Sequence, residues 1–415
     1  MCFCSIMVRK RVIKMMFRCE WKKILSKKIN RIMICAAAVL AVVFSCFAIG
    51  SVRYVDKNGA LHTGIAAARK LSADRNRWEG DLTAEKFAEI VKSKQKLAKK
   101  NPQGIPDDAY GKMIQSYGDI ESFVINVVLN DAEYNENVLY QMTEKQSKEL
   151  YATYKENMQK MAGEYGETPE QVEFLKKQYR KIKMPLSYQA KDSWDTMETY
   201  VETYGIVLAV IIGFLASGIF AEEFRTKADS VFFAAKYGRS KAVKNKAAAG
   251  MLMTTAVYWG GMAILTLVSL GVMGVSGFRT LYQIDQPYSM YVMTYGQYYL
   301  LMLVCGYIAS LFAASLSMLV SAKMHSRNIA AGIPFFLYCL MPFIGRMFSS
   351  VTVVFRLVPD VLFNIMANVK NLTVFQIGSI VFRQIPAVML LYTVLSVLLL
   401  PLVYRSYCRY GLRPR

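Results

Sequence analysis

Thr203-Tyr204-Gly205-Ile206-Val207-Leu208-Ala209-Val210-Ile211-Ile212-Gly213-Phe214-Leu215-Ala216-Ser217-Gly218-Ile219-Phe220-Ala221 runs without one Asp, Glu, Lys or Arg, then stops at Glu222-Glu223. A helix needs about 20 largely apolar residues to cross a bilayer, and this stretch has that length. Five further charge-free runs of 18 residues or more accompany it, at 32–52, 247–278, 286–322, 328–345 and 384–404. The chain of 415 residues is 54% hydrophobic, above the roughly 45–50% of a soluble domain. Six such runs exclude a soluble enzyme, a disordered tail and a disulfide-stapled secreted domain. They predict an all-α polytopic membrane protein with six transmembrane helices.

The formal net charge of +21 invites a nucleic-acid reading until it is divided by region. Residues 1–50 carry +9, residues 51–204 carry −1, and residues 205–415 carry +13. The one large polar region is neutral, and the excess sits beside the apolar runs. That is the pattern of membrane topology, so no nucleic-acid partner is expected. Lys and Arg concentrate in cytoplasmic segments next to spans. With the N-terminus inside, the segments 1–31, 221–246, 320–328 and 405–415 hold 23 Lys/Arg, and the short outer loops hold five. Both termini are therefore expected in the cytoplasm of a multi-pass cell-membrane protein. The expected organisation is a basic N-terminal segment 1–31, a first span 32–52, an extracytoplasmic domain 53–203, a five-helix membrane domain 204–404 and a basic tail 405–415. All eight cysteines lie outside 51–204, so that domain has no disulfides. Cys2-x-Cys4 lacks the second ligand pair that a structural zinc site needs.

The domain 53–203 reads as helical. Thr168-Pro169-Glu170-Gln171 is a helix start, with Pro at the first helical position. Thr143-x-x-Gln146 repeats the capping box, Thr83 opens a shorter stripe, and Asp119 is expected to cap 120–130. Within 286–322 the segment from Pro287 to Gln297 is polar and Tyr-rich. It reads as an interfacial belt, which leaves one span near 298–319. The outer loop 345–383 is apolar but broken by Arg346, Arg356, Asp360 and Lys370, and reads as short interfacial or re-entrant helices.

Enzymatic chemistry is sparse. The two histidines, His62 and His325, fall on opposite sides in this topology, which removes most acid–base constellations. Gly274-Val275-Ser276-Gly277 has the form of an intramembrane serine-protease motif but lacks a base in reach, and reads as a Gly-rich turn. No P-loop is present: Gly104 and Gly111-Lys112-Met113 are spaced too widely, and Met replaces the hydroxyl residue. No metal site or directly bound cofactor is expected, and the chain does not hydrolyse nucleotide by itself.

The most informative loop follows the second span. Glu222 and Glu223 close that span, and either can pair with Arg225, Lys227 or the basic N-terminal helix. Thr226 can cap a helix of about 11 residues, with Asp229 in its first turn, Lys236 in its last and Gly238 as its stop. Val231, Phe232, Phe233 and Ala235 give it an apolar side. Arg239, Lys241, Lys244 and Lys246 lead into the third span. One reading is an amphipathic helix lying on lipid phosphates. The other is a docking helix for a cytoplasmic partner, with Phe232 and Phe233 as anchors.

These residues resemble the permease subunits of type-2 ATP-binding cassette (ABC) exporters, in the Firmicutes-like branch with a large domain between spans one and two. The resemblance covers most of 16–415. It rests on Cys19-Glu20-Trp21-Lys22-Lys23-Ile24, Ala221-Glu222-Glu223-Phe224, Tyr237-Gly238-Arg239-Ser240-Lys241 with Lys244 and Lys246, Gln283, Leu357-Val358-Pro359-Asp360 and Pro401-Leu402-Val403-Tyr404-Arg405. It implies a homodimer or heterodimer of permeases in the lipid bilayer, paired with a separate cytoplasmic ATPase subunit that binds the ATP. The ATPase-coupling loop would lie within 221–246 and comprise Glu222, Glu223, Arg225, Phe232, Phe233, Gly238, Arg239 and Lys241. Such permeases begin shortly before the Glu-Trp-Lys-Lys segment, which implies a start at Met15 or Met16. The substrate is left open among peptides, antibiotics, lipids and drugs. The alternative function is a non-transporting membrane sensor or scaffold whose outer domain binds a peptide or cell-wall ligand.

Overall fold

In a computed structural model, residues 2–130, 135–347 and 356–410 are described. The side chains of Cys2, Cys4 and Arg346, the middle of the loop 345–383 and the last part of the tail 405–415 lie outside what is described. Six described helices are long and apolar enough to cross a membrane: Lys28–Ser51, Asp192–Arg225, Gly238–Met273, Tyr295–Met324, Arg327–Ile344 and Gln384–Cys408. Each charge-free run falls on one of them, so the chain is a multi-pass membrane protein, mostly helical. The run 286–322 supplies a single span, capped by Thr294, whose hydroxyl accepts from the Gln297 amide.

The second and fourth spans form the centre. Within their most apolar stretches 78% and 61% of residues are buried, against 22% for the first and sixth spans and 17% for the fifth. The outer faces of those three peripheral spans, with Val39, Phe47, Phe343, Leu390 and Val397 exposed, are left for lipid or another chain. Tyrosines tie the centre together. Tyr204 donates to the Ala37 carbonyl at 2.8 Å, Tyr258 to Leu303 at 2.7 Å and Tyr338 to Ala309 at 2.7 Å. Hydrocarbon offers a hydroxyl no water, so each must find an acceptor inside the bundle.

Residues between the first two spans fold as one helical unit, called here the insert. It opens with the hairpin β1 (Arg53–Val55) and β2 (Leu61–Thr63) and closes with a two-residue pairing of β3 (Gly80–Asp81) with β4 (Ser187–Tyr188). Its helices carry the predicted caps. Thr83 starts Ala84–Lys100, and Thr168 starts Pro169–Tyr179 with Pro at the first position. The Thr143 capping box is complete, but its helix is only Glu144–Lys148, and Leu150–Tyr165 follows separately. An aromatic column forms the core. Phe87 meets Phe123 at 6.0 Å, Phe123 meets Tyr154 at 5.5 Å, and Tyr154 meets Tyr288 at 5.9 Å.

The helix that carries the second span begins at Asp192, ahead of its charge-free run, and these first turns bury Trp194, Met197 and Val201. Three expectations are corrected. Asp119 does not cap its helix: Gly118–Leu129 begins before it, and its carboxylate turns to Arg75, Lys191 and Tyr188. The Tyr-rich segment near 288–291 is not an interfacial belt. Tyr288 and Tyr291 are buried, Tyr154 donates to the Pro287 carbonyl at 2.6 Å, and Tyr179 donates to Tyr288 at 2.8 Å. Finally, the described part of 345–383 holds one 3₁₀ turn (Pro359–Phe363), a short helix (Ile365–Lys370) and a hairpin of β5 (Val374–Ile377) with β6 (Ile380–Arg383). Its Val, Ile and Phe residues around Gly378-Ser379 favour strands over a helix.

Candidate functional site

The six spans sort the remaining segments to two ends. At one lie the insert and the loops 274–294 and 356–383. At the other lie the N-terminal helix Cys2–Ser26, the 222–242 loop, His325 and the chain end near 410. We call the second end the loop end; it is where the sequence places the coupling residues.

Antiparallel spans bring residues of equal depth together. Glu223 stands just after the second span's apolar run and Lys246 just before the third's. Lys246 is 1% exposed. It meets Glu223 at 2.7 Å, donates to the Ile219 carbonyl at 3.0 Å and lies 3.5 Å from Glu20. Glu223 also takes Lys23 at 2.6 Å and the Tyr407 hydroxyl at 3.0 Å. One carboxylate thus joins the N-terminal helix and the second, third and sixth spans. Glu222 pairs with Arg225 at 2.6 Å and with Lys27 at 2.9 Å. Both glutamates therefore engage the basic N-terminal segment, and Arg225 is engaged as well. Lys227 makes no such pair among the described residues, and takes a positive φ of 56° at the turn.

Charge and burial compete in this cap. Burial works against the charge on Lys23, but the Glu223 hydrogen bond and the charges of Glu20, Glu223 and Glu222 outweigh it and hold its pKa above the ordinary value. For Lys27 burial wins over Glu222 and lowers the pKa. His325 lies against Phe224 with ring centroids 3.8 Å apart and planes tilted by 42°, and burial lowers its pKa.

The helix expected over about 11 residues is shorter. It spans Asp229–Ala234, because the Thr226 hydroxyl turns back to the Glu222 carbonyl at 2.9 Å, and Ala235 is extended. Phe232 and Phe233 point inward, which corrects their expected role as partner anchors. Phe233 is 8% exposed, lies 5.0 Å from the Tyr407 ring and 5.3 Å from Tyr410, and carries Arg239 over its face at 4.7 Å. Phe232 lies beneath Lys246 at 5.4 Å. Val231 is the large apolar side chain left outside, at 75% exposure, beside the exposed Ala234 and Ala235.

The remaining predicted residues close the loop. Arg239 donates to the Cys408 and Tyr410 carbonyls at 2.9 and 2.7 Å, pinning the chain end. Lys241 sits over Tyr237 at 4.2 Å. Gly238 has no Cβ because one would collide with the Phe232 carbonyl oxygen. Gly238→Ala must push that carbonyl aside. It is expected to cost about 1–3 kcal/mol and to raise proteolytic cleavage of the 226–242 loop, measured against wild type by limited proteolysis in detergent.

A second buried network, missed in the sequence, fastens the insert to the spans. Arg75 contacts Asp119 and lies 2.6 Å from Asp192. Lys191 is 2% exposed, meets Asp285 at 2.7 Å and comes within 3.8 Å of Asp119. Tyr188 donates to Asp119 at 2.9 Å, and Tyr295 donates to Asp285. Burial opposes the charge on Asp119, but Lys191 and Arg75 outweigh it and hold its carboxyl below the usual range. Local pattern could not reveal this network, since its partners are up to 117 positions apart. The Gly274–Gly277 stretch belongs to the same junction, as the expected turn. Its Ser276 hydroxyl exchanges hydrogen bonds with Asn76 at 3.0 and 3.2 Å, and Gly277, at φ +79°, passes against Ala190 and Lys191 where a Cβ has no room.

Among the described residues no group of three His, Cys, Asp or Glu is placed to hold a metal ion. Neither a family model, nor a curated protein, nor a solved structure matches this chain.

Proposed function

We propose that the chain is the membrane-spanning permease subunit of an ATP-driven ABC exporter, moving its substrate outward with a separate cytoplasmic ATPase subunit. The carrying observation is the loop-end cap. A short helix with one large exposed apolar side chain, Val231, is tied through Phe232, Phe233 and Glu223 to the N-terminal helix and to the second, third and sixth spans. A push on that helix reaches all of these at once, which is what a receiver of ATPase movement requires. The excess of Lys and Arg at the loop end favours placing this end in the cytoplasm, with both termini, and the neutral insert outside. The missing P-loop fits ATP binding in another chain. The lightly buried first, fifth and sixth spans leave apolar faces for a second permease, in a homodimer or heterodimer.

Val231→Asp tests the assignment, since the side chain is exposed and the substitution leaves the inward packing intact. It is expected to abolish recovery of an ATPase subunit with the affinity-purified chain, while membrane insertion and melting temperature stay at wild-type values. Undiminished ATPase recovery with Val231→Asp would sink the assignment of this helix as the docking element.

A further inference from the structure

A cavity of ≈ 870 Å³ lies at the other end of the molecule, between the insert, the loop 285–289 and the segment 356–374. Its size is that of small-ligand sites, about 300–1,000 Å³. The loop-end cap contributes nothing to its walls, so a ligand bound there is independent of the exporter reading.

Seven side-chain amides line it, and several are uncommitted. Gln286, Asn364 and Asn371 line the cavity, and their side chains make no hydrogen bond among the described residues. Gln384 also lines it and is 2% exposed. Its amide nitrogen donates to the Arg356 carbonyl at 2.9 Å, yet its Oε1 has no partner among the described residues. A buried acceptor is rarely left unpaired in a folded protein. An amide offers a donor and an acceptor side by side, which complements the N–H and C=O of a peptide unit. Apolar contacts come from Leu129, Met161, Val361 and Leu372 on the same walls.

Charge excludes one rival class. Arg356 and Lys370 line the cavity together with Glu167, Asp285 and Asp360. Both signs are present without a positive excess, so a phosphate-bearing lipid headgroup or other polyanion is not selected. Ring geometry disfavours another. A glycan needs open aromatic faces to stack on, but Tyr288 is 8% exposed and its hydroxyl is committed to the Val127 carbonyl at 2.9 Å. Tyr165 is the one exposed ring among the described residues of the lining, and a single ring makes no stacking platform. Amides, apolar patches and charges of both signs together fit a short peptide with its backbone and mixed side chains.

We propose that this cavity binds a short peptide segment, with Gln384 Oε1 accepting from a peptide N–H and Gln286 and Asn371 bracketing the backbone. The test uses the full chain in lipid nanodiscs and a fluorescein-labelled pool of random-sequence octapeptides, read by polarisation. Wild type is expected to bind saturably. The half-exposed and exposed pair Gln286→Ala/Asn371→Ala is expected to weaken binding about tenfold, the worth of a lost pair of hydrogen bonds. Its melting temperature should match wild type, which separates loss of the site from loss of the fold. Gln384→Leu should weaken binding as well. Absence of saturable peptide binding, or unchanged affinity in the double variant, overturns the proposal. Displacement of the octapeptides by chitohexaose but not by unlabelled octapeptide assigns the cavity to glycans and overturns it equally.

Discussion

Glu223→Ala is expected to destabilise the membrane bundle by about 3–5 kcal/mol, the range seen when one partner of a buried ion pair is removed. The alanine leaves Lys246, 1% exposed, with only the Ile219 carbonyl and Glu20 at 3.5 Å. Lys23 and the Tyr407 hydroxyl lose their shared acceptor as well. Because that carboxylate joins four helices, the loss should appear as global melting and not as fraying of one loop. Glu223→Gln keeps an oxygen for Tyr407 and for one lysine, so it should recover part of the loss. Thermal unfolding of both variants in detergent, read by tryptophan fluorescence, checks this. A Glu223→Ala curve that overlays wild type contradicts the role given to the cap.

Arg75→Ala is expected to cost about as much, about 3–5 kcal/mol, but at the other end. It removes the cation shared by Asp119 and Asp192 and leaves Lys191 to face the remaining carboxylates. The insert should loosen from the spans and become sensitive to added protease while the spans stay intact. The same junction fixes an acid limit. Lys191 and Arg75 hold the Asp119 carboxyl below the usual range, so its stabilising contribution is complete above the unfolded-state value of about 3.9. It is lost as pH falls through the lower folded-state value. The stabilisation that Asp119 gives the insert should therefore be constant with pH near neutrality and fall below about pH 4. The Asp119→Asn variant should lack that acid step. A wild-type insert that melts equally at neutral pH and well below pH 4 rules this out.

Membrane-length helices are legible in the sequence because burial in lipid demands long runs without charge, and all six runs fall on helices. The caps at Thr83, Thr143 and Thr168 are legible because a helix start is satisfied by residues three apart. Asp119 fails as a cap because charge partners 44 and 72 positions away, Arg75 and Lys191, outweigh the local backbone amides. Tyr288 is misread because its amphipathic ring suits a membrane interface as well as a buried carbonyl, and only the insert packed above it decides. Glu222 and Glu223 do form ion pairs with the basic N-terminal segment, since two acids beside basic stretches have few other solutions. Phe233 is harder to read, because an apolar residue on a short helix looks alike whether it faces a partner or its own chain. Here Tyr407 and Tyr410, from the far end of the sequence, cover it.

Coupling to a separate ATPase through the loop end is tested most directly by one measurement. The tagged full chain is purified from its native membranes in mild detergent, and the complex is assayed for ATP hydrolysis and for its subunits. The expected result is a stoichiometric cytoplasmic ATPase subunit whose hydrolysis is lost with the chain carrying Val231→Asp. A chain recovered without an ATPase, from membranes whose ATP hydrolysis is the same with or without it, contradicts that coupling.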